Sequence, residues 1–299
     1  MRTYTLNIAN YRIRFEKTSG ELDLIPSERF SRFISRTDTV YDVCIRVFSG
    51  YRGLPTDAVK VFSAPYVEEI NGIRIKKNER FWSVYKKEDE LYILTDFPFS
   101  SDNRSGTLRF SPENNNWDLY LSGTGNTVDP MDYPLDGLIL YYLTVIHGDI
   151  MIHASGVSYK GKGYIFSGIS GKGKTTMAGL WDSHGARIIH DDRLIIRRKG
   201  SCYMMYNTPV YRNDQPRKSY IDSIFLIDHG NENKILPVKG AAAITSLISN
   251  CIQHNWSDFI IKRMLDSVVK VCTSVPVYYL WFRPDAKIIE YILQHENEK

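Results

Sequence analysis

The sequence predicts an α/β (α+β) chain built from two domains. A β-rich antiparallel domain is expected over residues 1–130, and an α/β domain built around a glycine-rich loop over residues 131–299. Three observations lead there. Short alternating apolar segments dominate the first part, with no strong helical periodicity beyond a short stretch near Pro26 to Ile34. A segment rich in Gly, Asn, Asp and Pro, from Gly123 to Pro134, reads as a linker. After it, helical and strand patterns alternate around one glycine-rich loop.

The elements follow from their patterns. Tyr4, Leu6 and Ile8 alternate with polar neighbours, as do Tyr11, Ile13 and Phe15. Phe81 to Thr95 reads as a hairpin turning through Lys86 to Glu90, and Thr107 to Leu121 as another turning through Pro112 to Asn116. Beyond the linker, Leu135 to His147 reads as a helix, and Ile150 to Ala154 and Tyr164 to Ser167 as strands. Thr175 to His184 is a helix stopped by Gly185, where glycine accepts the left-handed conformation that ends helices. Strands are expected at Arg187 to His190, Leu194 to Arg198, Cys202 to Tyr206 and Ile224 to Ile227. Helices are expected at Ala241 to His254 and Asp258 to Thr273, then a strand at Val277 to Phe282 and a helix from Asp285.

Composition excludes several classes. The 299 residues are 43% hydrophobic and 24% charged, as in a folded domain with a sizeable core. A net charge of +4, spread without blocks of one sign, gives no basis for a nucleic-acid or acidic-membrane partner. Met1 to Lys17 lacks the apolar run and cleavage site of a secretory signal. Leu135 to Ile146 is the most apolar stretch, but it contains Asp136 and is too short to span a bilayer. Cys44, Cys202, Cys251 and Cys272 are far apart with no Cys-x-x-Cys pair, so free, mostly buried thiols in a reducing, cytoplasmic compartment are expected.

The chemistry centres on Tyr-Ile-Phe-Ser-Gly-Ile-Ser-Gly-Lys-Gly-Lys-Thr-Thr, residues 164–176, in which Gly168, Gly173, Lys174 and Thr175 have the Walker A spacing. An apolar strand delivers the chain to the loop. The glycines let successive backbone N–H groups turn inward on phosphate oxygens, and the following helix aims its positive end at the same place. Ser170, Gly171, Lys172 and Thr176 complete the expected cradle. Lys174 would contact the outer phosphates, and the Thr175 hydroxyl would ligate magnesium. The expected ligands are therefore ATP and Mg2+.

Such a site needs carboxylates. Asp191 and Asp192 follow a short apolar strand, and the helix, glycine turn and strand between them and the loop are expected to return the chain beside the strand that carries it. One aspartate would hold the metal and the other accept a proton from an attacking hydroxyl. The residues themselves do not say which does which. His153 ends an apolar strand, where a packing role and a functional one are both open. His190 alternates away from the aspartates and reads as packing. Arg193, Arg212, Arg217 and Lys218 are weaker candidates for stabilising transferred charge.

His153-Ala154-Ser155-Gly156, the run Ser167 to Thr176, and Asp191-Asp192-Arg193 together resemble the HPr kinase/phosphorylase-like branch of the phosphoenolpyruvate carboxykinase superfamily. The resemblance covers about residues 135–295 and is sharp over 150–195. It implies a compact domain with a mixed sheet and flanking helices, phosphoryl transfer from Mg-ATP to a serine hydroxyl, and a transfer site containing His153. It also implies Asp191 as the base and Asp192 as the metal partner. The chain departs from the bifunctional enzyme at Thr208 to Lys218, which has no glycine where that enzyme carries a glycine-rich signature. HPr is therefore not the expected substrate, nor is phosphorylase activity expected. Carboxykinase activity is not expected either, since such enzymes are much longer and their substrate-binding motifs are not found upstream.

The resulting expectation is an ATP-dependent kinase acting on a hydroxyl of a peptide, protein or free amino acid, with Asp191, His153 and Asp192 at the transfer site. The competing expectation is a nucleotide-binding switch without turnover, whose N-terminal domain is the interaction module. The acceptor is not identified by any surface in the sequence, and the oligomeric state, a homo-oligomer included, is open.

Overall fold

The computed structural model describes residues 3–18, 22–35, 40–64, 69–70, 73–74, 82–99, 104–123 and 125–298. The chain forms two compact units. One is Met1–Tyr142 with Tyr211–Asn213, and the other Leu143–Val210 with Asp214–Lys299.

In the first unit the strands are β1 (Thr3–Ile8), β2 (Tyr11–Lys17), β3 (Asp23–Leu24), β4 (Val43–Ser49), β5 (Val59–Ser63), β6 (Glu69–Ile70), β7 (Ile73–Arg74), β8 (Trp82–Lys87), β9 (Glu90–Asp96), β10 (Ser105–Phe110), β11 (Asn116–Ser122) and β12 (Thr127–Val128). A 3-10 turn covers Glu28–Phe33, where a short helix is expected from sequence. Eight strands form one sheet in the order β1-β2-β4-β11-β10-β9-β8-β5. The two expected hairpins are present as β8–β9 and β10–β11, although Phe81 itself lies outside the described residues. The sheet is antiparallel except at β4, which runs parallel to both β2 and β11. Alternation along β2 buries Tyr11, Ile13 and Phe15 on one face.

The second unit is entered through α1 (Leu135–His147) and continues with β13 (Ile150–Tyr159), β14 (Lys162–Ser167), α2 (Lys174–Ser183), β15 (Arg187–His190), β16 (Arg193–Lys199), β17 (Cys202–Asn207), β18 (Lys218–Tyr220), β19 (Ser223–His229), β20 (Lys234–Val238), α3 (Gly240–Ile248), α4 (Asp258–Ser274), β21 (Val277–Phe282) and α5 (Lys287–Asn297). Its sheet is mixed, in the order β18-β17-β16-β13-β14-β19-β21-β20, with β15 also pairing β13. β14, β19 and β21 are parallel, and β13 is antiparallel to β14. The core on one face is aromatic. Trp181 of α2 is fully buried and stacks on Tyr164 at 5.2 Å, while Phe166 stacks on Phe225 at 5.5 Å. Truncating a core Trp of this kind to Ala costs about 3–5 kcal/mol.

Two expectations are corrected. The strand before the acidic pair does not lie beside the loop-bearing strand: β15 pairs with β13, because the β13–β14 hairpin already occupies that side of β14. The helix expected to reach His254 ends at Ile248. Residues after it pair instead with β13, where His153 N donates to Asn250 O at 3.1 Å and Ile252 N to Met151 O at 2.8 Å. This satisfies the backbone of β13 where it runs past the end of β14. In the second unit, β18 and β20 were not expected. β20 contains Pro237, which is tolerated because β20 is an edge strand, and β18 is only three residues long.

The cysteines are free, with Cys44 and Cys251 buried, Cys272 half-buried and Cys202 exposed. Among the described residues no helix is long and apolar enough to cross a membrane.

Candidate functional site: a glycine loop facing an acidic turn

The loop from Gly168 to Gly173 links the end of β14 to α2. Its shape depends on glycine at particular points. Gly171 has φ +83° and Gly173 φ +89°, the left-handed region that side chains resist. At Gly173 a Cβ would also come within 2.8 Å of Phe282 Cζ, and at Gly168 within 2.9 Å of the Ile227 carbonyl oxygen. Gly173 caps α2 with no side-chain hydrogen bond, so the first-turn N–H groups have no side-chain acceptor there.

Lys174 opens the helix and turns back into the loop. Its Nζ donates to Gly168 O at 2.7 Å and to Ile169 O at 3.1 Å. The residue is 7% exposed, and burial pulls its ammonium below the usual lysine range, an effect that the nearby charge of Asp192 opposes. Lys172 points elsewhere, to Asp228 Oδ1 at 2.7 Å, and His229 Nε2 donates to Gly171 O at 3.0 Å. Ser170, Thr175 and Thr176 are exposed.

Across β13 lies the acidic turn between β15 and β16. His153 Nδ1 lies 3.1 Å from Asp192 Oδ1. That hydrogen bond holds Asp192 below the ordinary carboxylate range, against the opposing effect of burial. Ala154 N donates to Asp192 O at 3.0 Å, tying the turn to β13. Asp191 is half-buried and makes no hydrogen bond or ion pair among the described residues. The structure therefore joins His153 to Asp192, brings Asp192 into the field of Lys174, and leaves Asp191 beside them.

His190 is the residue that sequence reasoning undervalued. It is buried, and its Nδ1 accepts from the backbone N–H of Asp192 at 3.0 Å and of Arg193 at 3.1 Å. With Nδ1 accepting, the proton sits on Nε2, which faces Asp214 Oδ2 at 3.4 Å. Asp214 also accepts from Val210 N at 2.9 Å. His190 thus shapes the acidic turn from behind and ties it to the loop after β17. Alternation read the side chain as a packing group, and it is buried. It could not show that the chain would curl back over the imidazole. In that same loop Thr208 Oγ1 donates to Arg193 O at 3.1 Å.

Two of the basic candidates have other partners, while the charge of Arg193 acts on Asp192. Arg217 donates to Ile188 O at 3.0 Å, and Arg212 pairs with Glu28 at 2.6 Å.

No protein-family profile and no curated protein sequence matches the chain. Among solved structures, the Hpr(Ser) kinase/phosphatase of Coxiella burnetii aligns with 49% of this chain and 95% of its own, at 9% identity and a TM-score of 0.32.

Proposed function

We propose that the second unit is a Mg-ATP-dependent kinase that transfers the γ-phosphoryl group to a hydroxyl, a serine of a peptide, protein or free amino acid. The observation that carries the reading is geometric: the glycine loop ending β14 turns Lys174 Nζ onto Gly168 O at 2.7 Å, and the neighbouring strand β13 carries His153, whose Nδ1 lies 3.1 Å from Asp192 of the acidic turn. A loop that only binds phosphate has no need of a carboxylate held by a histidine of the strand beside it.

In this reading the backbone N–H groups of Ser170 to Thr176, with Gly171, Lys172 and Gly173 among them, receive the phosphates, and Lys174 contacts the outer ones. Thr175 and Asp192 would hold magnesium, which when bound supplies charge neutralisation to the phosphates. Among the described residues no group of three His, Cys, Asp or Glu side chains is arranged to hold a metal ion. A magnesium ion carried mainly by water, phosphate oxygens and one or two side chains fits that donor set. His153 fixes the orientation of Asp192. Asp191, with no competing partner, takes the proton from the acceptor hydroxyl. The division into residues 1–130 and 131–299 assigns this chemistry to the second part and leaves the first as the module for acceptor or partner.

The test is transfer of label from γ-labelled ATP, with magnesium, to seryl peptides, free serine and protein acceptors, comparing the native chain with Asp191→Asn. The kinase reading expects the variant to bind ATP yet lose about tenfold or more in rate. Tight ATP binding with no transfer to any acceptor would replace it with the nucleotide-switch reading.

A further inference from the structure

The second unit contains a cleft of about 380 Å³ that shares a wall with the glycine loop. Gly168, Ile169 and Lys172 form that wall. Tyr279 and Trp281, at the end of β21, lie across from it with ring centroids 5.8 Å apart and an interplanar angle of 47°. α3 and the residues after it contribute Ser246, whose hydroxyl lies 2.7 Å from that of Tyr279, and Asn250. Trp281 is half-buried and Ile169 is 62% exposed, so apolar surface is open to an incoming ligand from both sides. The volume lies in the range of small-molecule sites, and the lining is the usual mixture of aromatic surface with a few hydroxyl and amide groups.

We infer that this cleft holds the nucleoside of the triphosphate whose phosphates lie in the loop, with its base against Trp281. The inference rests on the reading of the loop as a triphosphate site, and it follows from sidedness. In the sheet, β14 has β13 on one side and β19 then β21 on the other. His153 and, beyond it, the Asp191-Asp192 turn belong to the β13 side, and the cleft belongs to the β19–β21 side. The phosphate that leaves must lie toward the carboxylates. A linear triphosphate so oriented brings its nucleoside end out over the C-terminal ends of the parallel strands β19 and β21. Ligands of open α/β sheets are found at such strand ends. Trp281 offers a ring face, which stacks on any base, and Ser246, Asn250 and the carboxylate of Asp228 offer polar groups for a base edge or ribose hydroxyls. The Lys172–Asp228 pair, at 2.7 Å, forms a bridge at the boundary between loop and cleft.

The experiment measures the affinity of MgATP and of magnesium tripolyphosphate, which has phosphates and no nucleoside, by titration calorimetry. It compares the native chain with Trp281→Ala, Trp281→Phe and Ser249→Trp. The last keeps the stacking residue and fills the cleft from an exposed position on its rim. The expected result is that Trp281→Ala and Ser249→Trp each weaken ATP about tenfold or more, that Trp281→Phe recovers most of the loss, and that tripolyphosphate binds all four within about twofold. Unchanged ATP affinity in both Trp281→Ala and Ser249→Trp would overturn the assignment while leaving the loop in place. So would a native chain that binds tripolyphosphate as tightly as ATP. A native chain that binds neither would remove the triphosphate reading of the loop, and the nucleoside cleft with it.

Discussion

His153 and Asp192 face each other across 3.1 Å, Nδ1 to Oδ1, at the point where β13 passes the acidic turn. The two residues are far apart in sequence, and each is held independently. His153 is fixed by its backbone bond to Asn250, and Asp192 by its carbonyl bond from Ala154. The pair favours the charged form of Asp192. Its folded-state carboxyl lies below the ordinary value, first through the His153 hydrogen bond. A depressed carboxylate contributes stability that is present above the ordinary value of about 3.9, and it loses that contribution as pH falls through the lower folded value. We expect His153→Ala to raise the Asp192 titration, as followed by carbon NMR of labelled aspartate, and to move the acid limit of magnesium-dependent ATP binding upward with it. An Asp192 titration that does not move would separate the two residues.

His190 positions the acidic turn without being placed to touch substrate. His190→Leu removes the acceptor of two backbone N–H groups, each of which then costs about 1–3 kcal/mol if left buried and unpaired. His190→Asn keeps an acceptor of similar reach. The expectation is a lower Tm and a lower kcat in the Leu variant, with the KM for ATP nearly unchanged, and partial rescue of both by Asn. A Leu variant with native kcat would reduce His190 to packing.

Gly173 is fixed by conformation and by space. Gly173→Ala must hold an L-residue at φ +89°, at a cost of about 1–2 kcal/mol, and must displace the ring of Phe282. ATP affinity should fall by about tenfold or more because the first turn of α2 moves. Gly179→Ala, on the exposed side of the same helix with open space at the Cβ position, is the matched control and should bind as the native chain does.

His254 supplies a pH dependence of stability. Burial lowers its titration to about 3, from an ordinary value near 6.5. Below the ordinary value the unfolded chain takes up a proton that the folded chain refuses, so stability falls as pH drops from about 6.5 toward about 3. Thermal melts across that range should show a decline that His254→Leu flattens. Parallel curves for the two proteins would assign the acid sensitivity elsewhere.

The shape of the glycine loop was legible because it is local: strand, glycines, lysine and helix start follow one another in the chain. The two N-terminal hairpins were legible for the same reason, since turn residues and alternation lie within one short segment. The parallel placement of β4 was not, because nothing near Val43–Ser49 encodes a partner as distant as β11. Nor was the early end of α3. Its apolar periodicity continues past Ile248, and the competing demand, an unpaired stretch of β13 backbone, sits about a hundred residues away in sequence. His190 shows the limit most clearly. Period-two alternation suggested a packing side chain, but the two N–H groups that donate to it belong to a turn whose path only the tertiary structure defines.

Binding of MgATP to the native chain and to Lys174→Met, by titration calorimetry with Tm measured on the same samples, tests the central claim most directly. The account predicts saturable binding by the native chain and an affinity lower by about tenfold or more in the variant, from loss of a charge-assisted contact. It also predicts an equal or higher Tm for the variant, because the buried ammonium it removes is disfavoured by its surroundings. Equal ATP affinity in the two proteins, or no binding by the native chain, would contradict it.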